Sequence, residues 1–294
     1  AWRVPASALS APLAHRGGWL IVPLADGGIQ GVRAADGTVV WAISAGSPVA
    51  SAPAIDGDVL AVGLADGRIV ALNVGTGATL WQRPLGSASS GVTLSGDRIF
   101  AGTTDGFFWA LKTRNGDLDW RWRIGARLIG AASADANGVY AVAVDNVLRG
   151  FKRSNGNQRW SLALTTRALA GPAMADGLLV VTTGEVGKAA LIYVRPDTGA
   201  AAGRTPSLPV VDETMRVQFP VLITTGAAPR ALLATATPAG DWSLHAYRQT
   251  LLTSTPGLIA FGPRYEIALR LEYAIGMRPF GTTVPLVPPV PKVP

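Results

Sequence analysis

Tryptophan returns through the first half of this 294-residue chain at a nearly fixed interval. Trp2, Trp41, Trp81, Trp120 and Trp160 are separated by 39, 40, 39 and 40 residues. Two other signals keep the same period. Asp-Gly or Asp-Asn pairs stand 15 residues before the last four, at Asp26-Gly27, Asp66-Gly67, Asp105-Gly106 and Asp145-Asn146. A second glycine stands four residues before each of the same tryptophans, at Gly37, Gly77, Gly116 and Gly156. A period of about 40 residues marks a stacked repeat, each copy one supersecondary unit that buries its apolar face against the next.

One period reads as four short strands. In residues 51–84 an apolar stretch ends at Asp56-Gly57, and residues 59–64 form a buried strand. Asp66-Gly67 is then expected to supply the positive φ angles of a two-residue hairpin. Residues 68–73 return, Gly75-Thr76-Gly77 turns the chain again, and residues 78–82 make the fourth strand. Four antiparallel strands in ~40 residues is the pattern of a propeller blade. The charged residues agree with a turn-rich, all-β chain. Of 19 acidic residues only Glu185, Glu213, Glu266 and Glu272 are glutamates; the rest are aspartates, which favour turns.

The period continues in weaker form. Residues 191–199 (LIYVRPDTG) match a third strand and second turn, and residues 231–248 match the second and third strands of a sixth unit. Residues 203–216 are a less regular link. Trp2 sits one period before Trp41, so residues 1–5 read as the fourth strand of a blade whose other strands lie at the far end of the chain. The expected fold is an all-β β-propeller of four-stranded antiparallel blades, closed by the N-terminal strand. It has six blades, or seven if residues 255–280 build another. Residues 1–250 form the propeller and residues 251–294 a C-terminal extension.

The stretches LNVGTGATLW, LKTRNGDLDW and VRAADGTVVW resemble the repeat of the PQQ-like (quinoprotein-type) propellers, as does Asp197-Thr198-Gly199. The resemblance implies that Trp2, Trp41, Trp81, Trp120 and Trp160 dock between neighbouring blades. A large flat ring with one N–H donor suits that role, because it fills an inter-blade gap and can satisfy a backbone carbonyl. The family holds two functional groups: quinone-dependent dehydrogenases, and non-enzymatic scaffolds of the BamB-like branch. The dehydrogenases typically use an adjacent cysteine pair, a catalytic aspartate and calcium ligands. This chain has no cysteine at all. The resemblance therefore points to the non-enzymatic branch, with no catalytic, cofactor or metal residue carried over.

Composition closes other doors. Without cysteine there is no disulfide framework, thiolate zinc site or thiol nucleophile. The only histidines are His15, read as a turn residue, and His245, inside an alternating strand; neither has a second nitrogen ligand nearby in sequence. Asp26, Asp36, Asp56, Asp66, Asp105, Asp145, Asp176, Asp197 and Asp241 all fall in expected turns, where short side chains cap the backbone. Asp117 and Asp119 flank Leu118 among arginines and read as a salt-bridged surface. Asp212-Glu213 reads as part of the exposed link. No phosphate-binding glycine loop or nucleophile elbow occurs. The chain starts at Ala1 and not at Met, which fits removal of an export signal.

The charge of +7 is not spread evenly. Residues 112–167 carry ten basic and four acidic side chains, while residues 1–111 carry six and seven. The excess falls on the third and fourth blades, at Arg121, Arg123, Arg127, Arg149, Lys152, Arg153 and Arg159. A basic sector attracts acidic proteins or anionic lipid head groups. Nucleic acid fits least, because packing already accounts for the aromatics there and no separate stacking platform exists. A second candidate surface is the alternating run 265–275, with Tyr265, Ile267, Leu269, Leu271, Tyr273 and Ile275 on one side. Period two over eleven residues is a strong strand signal. Such a strand can lie on the propeller edge, add to a partner's sheet, or face lipid within a partner's barrel. The proline-rich end, residues 284–294, reads as extended polyproline II.

These features lead to a non-catalytic propeller scaffold without cofactors. It is expected in the periplasm or at the cell surface, in association with the outer membrane. Its partners are proteins of an envelope or membrane complex. Two alternatives stand beside it: a quinone- or sugar-binding enzyme or sensor using the central funnel, and an accessory subunit held in a membrane complex by residues 251–294.

Overall fold

The computed structural model describes residues 8–175, 177–184 and 190–204 in full. It also gives the backbone of residues 185 and 188–189 and of the strands named below from β22 onward. Blade one is β1 (Ala14–Arg16), β2 (Trp19–Pro23), β3 (Gly28–Arg33) and β4 (Val39–Ser44). Blade two is β5 (Ala54–Asp56), β6 (Val59–Gly63), β7 (Arg68–Asn73) and β8 (Thr79–Pro84). Blade three is β9 (Ser89–Ser95), β10 (Arg98–Thr103), β11 (Phe107–Lys112) and β12 (Leu118–Arg123). Blade four is β13 (Ser133–Ala134), β14 (Gly138–Val142), β15 (Val147–Lys152) and β16 (Gln158–Ala163). Each is a meander whose strands pair in chain order.

The last two sheets are six-stranded. Blade five has β17 (Arg167–Ala168) and β18 (Ala173–Ala175) sharing the inner position beside β19 (Leu178–Glu185). Outside β19 come β20 (Lys188–Val194), then β21 (Ala201–Arg204) and β22 (Leu208–Pro209). Blade six repeats this plan. β23 (Arg216–Val217) and β24 (Val221–Ile223) flank β25 (Arg230–Ala236), which pairs with β26 (Trp242–Thr250). The outer side of β26 takes β27 (Ala260–Phe261) and β28 (Leu269–Leu271).

The described residues thus form six antiparallel sheets and no helix. The strands described within 255–280 join the sixth sheet. Trp2 and the proposed closing strand 1–5 lie outside the described residues, as do Tyr265, Ile267, Tyr273, Ile275 and the segment 284–294.

Neighbouring blades touch through their inner strands, β1 to β5, β5 to β9, β9 to β13 and β13 to β18. The core lies in the gaps between blades. Ile21, Ile29 and Trp41 of blade one pack against Leu60, Val62 and Leu72 of blade two, and equivalent clusters fill the next three gaps. Middle strands are covered on both faces, which is why β6 and β7 are apolar nearly throughout. Outer strands such as β8 are mostly exposed.

The Asp-Gly turns differ from expectation. A two-residue hairpin would need positive φ at both central residues. Asp26, Asp66 and Asp105 are not in that region; only the following Gly27, Gly67 and Gly106 are. In blade two Leu64 N–H donates to Arg68 O at 2.8 Å, enclosing three loop residues, and Gly67 N–H closes back on Leu64 O. The loop is a turn followed by one left-handed residue. In blades one, two and four the aspartate serves the turn through its side chain. Its carboxylate accepts the backbone N–H two residues on, as in Asp66 with Arg68 and Asp145 with Val147. Asn146, with φ of 58°, takes the left-handed place in blade four.

Candidate functional site

The repeated tryptophans form a series of latches. Trp41 Nε1 donates to Val74 O at 2.8 Å, Trp81 to Thr113 O at 2.7 Å, Trp120 to Arg153 O at 2.9 Å and Trp160 to Pro196 O at 2.9 Å. Every acceptor is on the turn before the outer strand of the next blade, three residues ahead of that turn's glycine. The glycine itself lies under the indole. A Cβ at Gly116 would come within 2.5 Å of the Trp81 ring, and one at Gly199 within 2.5 Å of the Trp160 ring. Both also have positive φ, at 73° each. Glycine four residues before one tryptophan is thus required by the tryptophan of the preceding blade.

Two further features aim the indole. The outer strand has a bulge immediately before each tryptophan, with register shifts at Gly31/Val32, Ala71/Leu72, Ala110/Leu111 and Gly150/Phe151. The extra residue rotates the ring out of the sheet's regular alternation. The cross-strand partner of each tryptophan is Gly31, Ala71, Ala110 or Gly150. Small residues there leave room for the ring, and they make a fourth signal with the same period.

The structure divides the basic sector instead of gathering it. Arg123 pairs with Phe107, next to the Asp105-Gly106 turn, and Arg127 lies in the connection to blade four at that same end. Lys152 pairs with Gly138 at the opposite end, where Arg153 opens the second turn and Arg159 donates to Asp197 O at 3.2 Å. Two members are committed internally. Arg149 is ion-paired with Asp145, its side chain 15% exposed. Burial tends to raise the Asp145 pKa, but the hydrogen bonds and charge of Arg149 outweigh it and hold the carboxyl below its ordinary range. Arg153 bonds Asp97, Ser95 Oγ and the carbonyl of Asp135, and lies over Phe100. Its hydrogen bond to Asp97 lowers that carboxyl's pKa. Arg121, Arg123, Arg127, Lys152 and Arg159 remain exposed.

Asp117 and Asp119 also part company. Asp117 accepts from Asn115 Nδ2 at 2.8 Å, whereas Asp119 pairs with Arg98 at 2.7 Å. Arg98 and Asp119 line a cleft of about 530 Å³ between blades two and three, together with Asp97, Lys112, Arg114 and Leu80. Asp56, the last residue of β5, works between blades. It pairs with Arg16 of blade one at 3.0 Å and accepts Gly96 N–H of blade three at 2.8 Å. His15 lies in β1 opposite Leu20, not in the turn that follows. His245 lies in β26 opposite Leu233. Leu269 and Leu271 lie in β28, which pairs with residues 242–244 of β26.

The family model described as outer membrane protein assembly factor BamB matches residues 1–91 and 87–218. The chain belongs to the BamB family. A BamB of Yersinia pestis is 27% identical over 167 residues, covering 49% of this chain and 42% of that protein. The chain therefore matches less than half of the length of that curated relative. Among solved structures, BamB from Moraxella catarrhalis superposes with a TM-score of 0.61 at 16% identity, over 82% of this chain and 93% of that one. The computationally designed Ika8 protein gives 0.59 at 15% identity, over 81% and 83%. A chain of the mitotic checkpoint complex gives 0.62 at 16% identity, over 79% and 73%. At these identities the likenesses establish the shared fold alone. The spread of sources suits a propeller whose blade geometry is reused widely.

Proposed function

We propose that this chain is a non-catalytic propeller scaffold that holds partner proteins during outer membrane protein assembly, in the periplasm and associated with the outer membrane. The observation that carries this reading is the BamB family match over residues 1–218. The blade latches support it physically. Blades one to four are each fixed to the next by a buried or half-buried indole, a hydrogen bond and an apolar cluster, so they offer rigid edges and loop surfaces at defined spacing. A rigid surface loses little entropy on binding. The sequence has no cysteine pair of the kind that the quinone-dependent branch uses.

The test is affinity purification of the tagged protein from membranes of its native host, solubilised in mild detergent and read by mass spectrometry. Enrichment of outer membrane assembly proteins is the expected result. Recovery of the protein without them, or in the cytosolic fraction, would overturn the reading. In parallel, dye-linked dehydrogenase activity after addition of quinone and Ca²⁺ would contradict the non-catalytic part of it.

A further inference from the structure

Among the described residues, β12 hydrogen-bonds β11 on one side and no strand on the other. Such an edge offers a row of backbone donors and acceptors to an added strand. The two faces of β12 differ in chemistry. Arg121 and Arg123 share a face with their register partners Trp109 and Phe107, and Trp109 packs against blade two. Trp120 and Trp122 project the other way, where the Trp122 ring meets Phe151 of blade four at 6.2 Å and is still 38% exposed.

The two cations are held in place without being used up. The Arg121 guanidinium lies 5.4 Å from the Phe107 ring centroid and 5.3 Å from that of Trp109, and Arg123 lies 5.9 Å from Phe107. A stacked guanidinium keeps its planar fork of N–H donors free for a carboxylate. The ion pairs among the described residues include neither arginine.

Charges on an edge strand commonly keep other strands away. The other outer edges meet that need with less: β8 and β16 each carry a single cation, Arg83 and Arg159. β4 carries VVWAIS with Val39 and Val40 about two-fifths exposed and no charge. β8 ends in Pro84, and Arg159 of β16 turns to the carbonyl of Asp197. Of these four edges, β12 is the one with paired cations seated on aromatic rings.

We propose that the β12 edge takes an extended acidic segment of a partner protein as an added strand. Strand alternation sets the motif. Acidic residues at every second position face Arg121 and Arg123, and apolar residues between them face Trp122. The proposal rests on the scaffold reading only in that the occupant is a protein.

The purified protein is titrated calorimetrically with a blocked peptide alternating Glu and Val, a same-composition peptide with its Glu residues in one run, and a Lys-for-Glu peptide. Amide exchange is read in parallel. The alternating peptide is expected to bind, to slow exchange over residues 118–123, and to lose affinity with added salt. R121Q/R123Q should weaken it about tenfold, while R127Q/R159Q, removing equal charge elsewhere, should not. R121K/R123K keeps the charge and should bind severalfold more weakly. No binding, equal binding of the run-of-Glu peptide, or unchanged affinity in R121Q/R123Q with native melting would overturn the proposal. If partners still co-purify from membranes in that case, the scaffold reading stands and only the β12 edge is wrong.

Discussion

The indole N–H of Trp160 donates to the carbonyl of Pro196 at 2.9 Å, so the last tryptophan of the series grips a blade that has none of its own. Blade five has Gly203 in the tryptophan's place, paired with Tyr193 across the strand. It still presents the receiving half of the latch, Pro196 and Gly199. Donor and receiver are therefore separable features of a blade.

The latch should be measurable in two steps at Trp120, which packs against Phe100 and Phe108 and is 7% exposed. Phe at this position keeps most of the ring and loses the donor to Arg153 O, so a loss of about 1–2 kcal/mol is expected. Ala also opens a cavity and should cost about 3–5 kcal/mol. Urea unfolding followed by circular dichroism separates the two. Equal losses would show that the ring contributes nothing beyond its donor, and no loss for Phe would show that the hydrogen bond contributes nothing.

Gly116 and Gly86 both have positive φ, 73° and 89°, but only Gly116 lies under an indole. Gly86→Ala should cost about 1–2 kcal/mol for the left-handed backbone. Gly116→Ala should cost about 2 kcal/mol more, because the new methyl displaces Trp81. The comparison of melting temperatures isolates the inter-blade contact from the backbone effect.

Asn146 holds a left-handed φ and accepts Ala168 N–H at 3.2 Å. Asn146→Ala loses both advantages and should destabilise by about 2 kcal/mol. Asn146→Gly relieves the backbone while losing the acceptor, so its net effect should stay within about 1 kcal/mol. Chemical denaturation of the two variants side by side checks the ranking.

The Arg153 hydrogen bond holds the Asp97 carboxyl below its ordinary pKa in the folded protein. A depressed folded pKa means that stability is present above the unfolded value, about 3.9 for aspartate. It is lost as pH falls from there through the folded pKa. Melting temperature should therefore drop below about pH 4. Asp97→Asn should flatten part of that drop while leaving the neutral-pH melting temperature little changed, since the carboxylate is mostly exposed. An unaltered acid profile in the variant would remove Asp97 from the explanation.

The repeat makes much of the fold legible. Period, strand count per unit and the place of Trp41, Trp81, Trp120 and Trp160 can be read because each blade must satisfy the same packing against its neighbour. Residues with the same role in every blade recur in register. The turn at Asp66-Gly67 is one residue longer than its dipeptide suggests, because a dipeptide does not reveal which of its residues takes positive φ. The basic sector is harder still. Arg121 and Arg153 look alike in sequence, yet one lies exposed over aromatic rings and the other is enclosed by Ser95, Asp97 and Asp135. Nothing local separates them, since the partners of Arg153 stand 18 to 58 residues away.

The sequence by itself determined that this chain builds blades, roughly where each begins, and which residue types lie at each turn. Those properties follow from backbone sterics and from alternation along single strands, and both are local. Tertiary structure decided why Gly116 is needed, since its reason is the ring of Trp81 in another blade. It also decided which arginines are free, and that Arg123 and Arg127 stand at one end of their blades while Lys152, Arg153 and Arg159 stand at the other. Those outcomes depend on distances across gaps between sheets, which no spacing along one strand encodes.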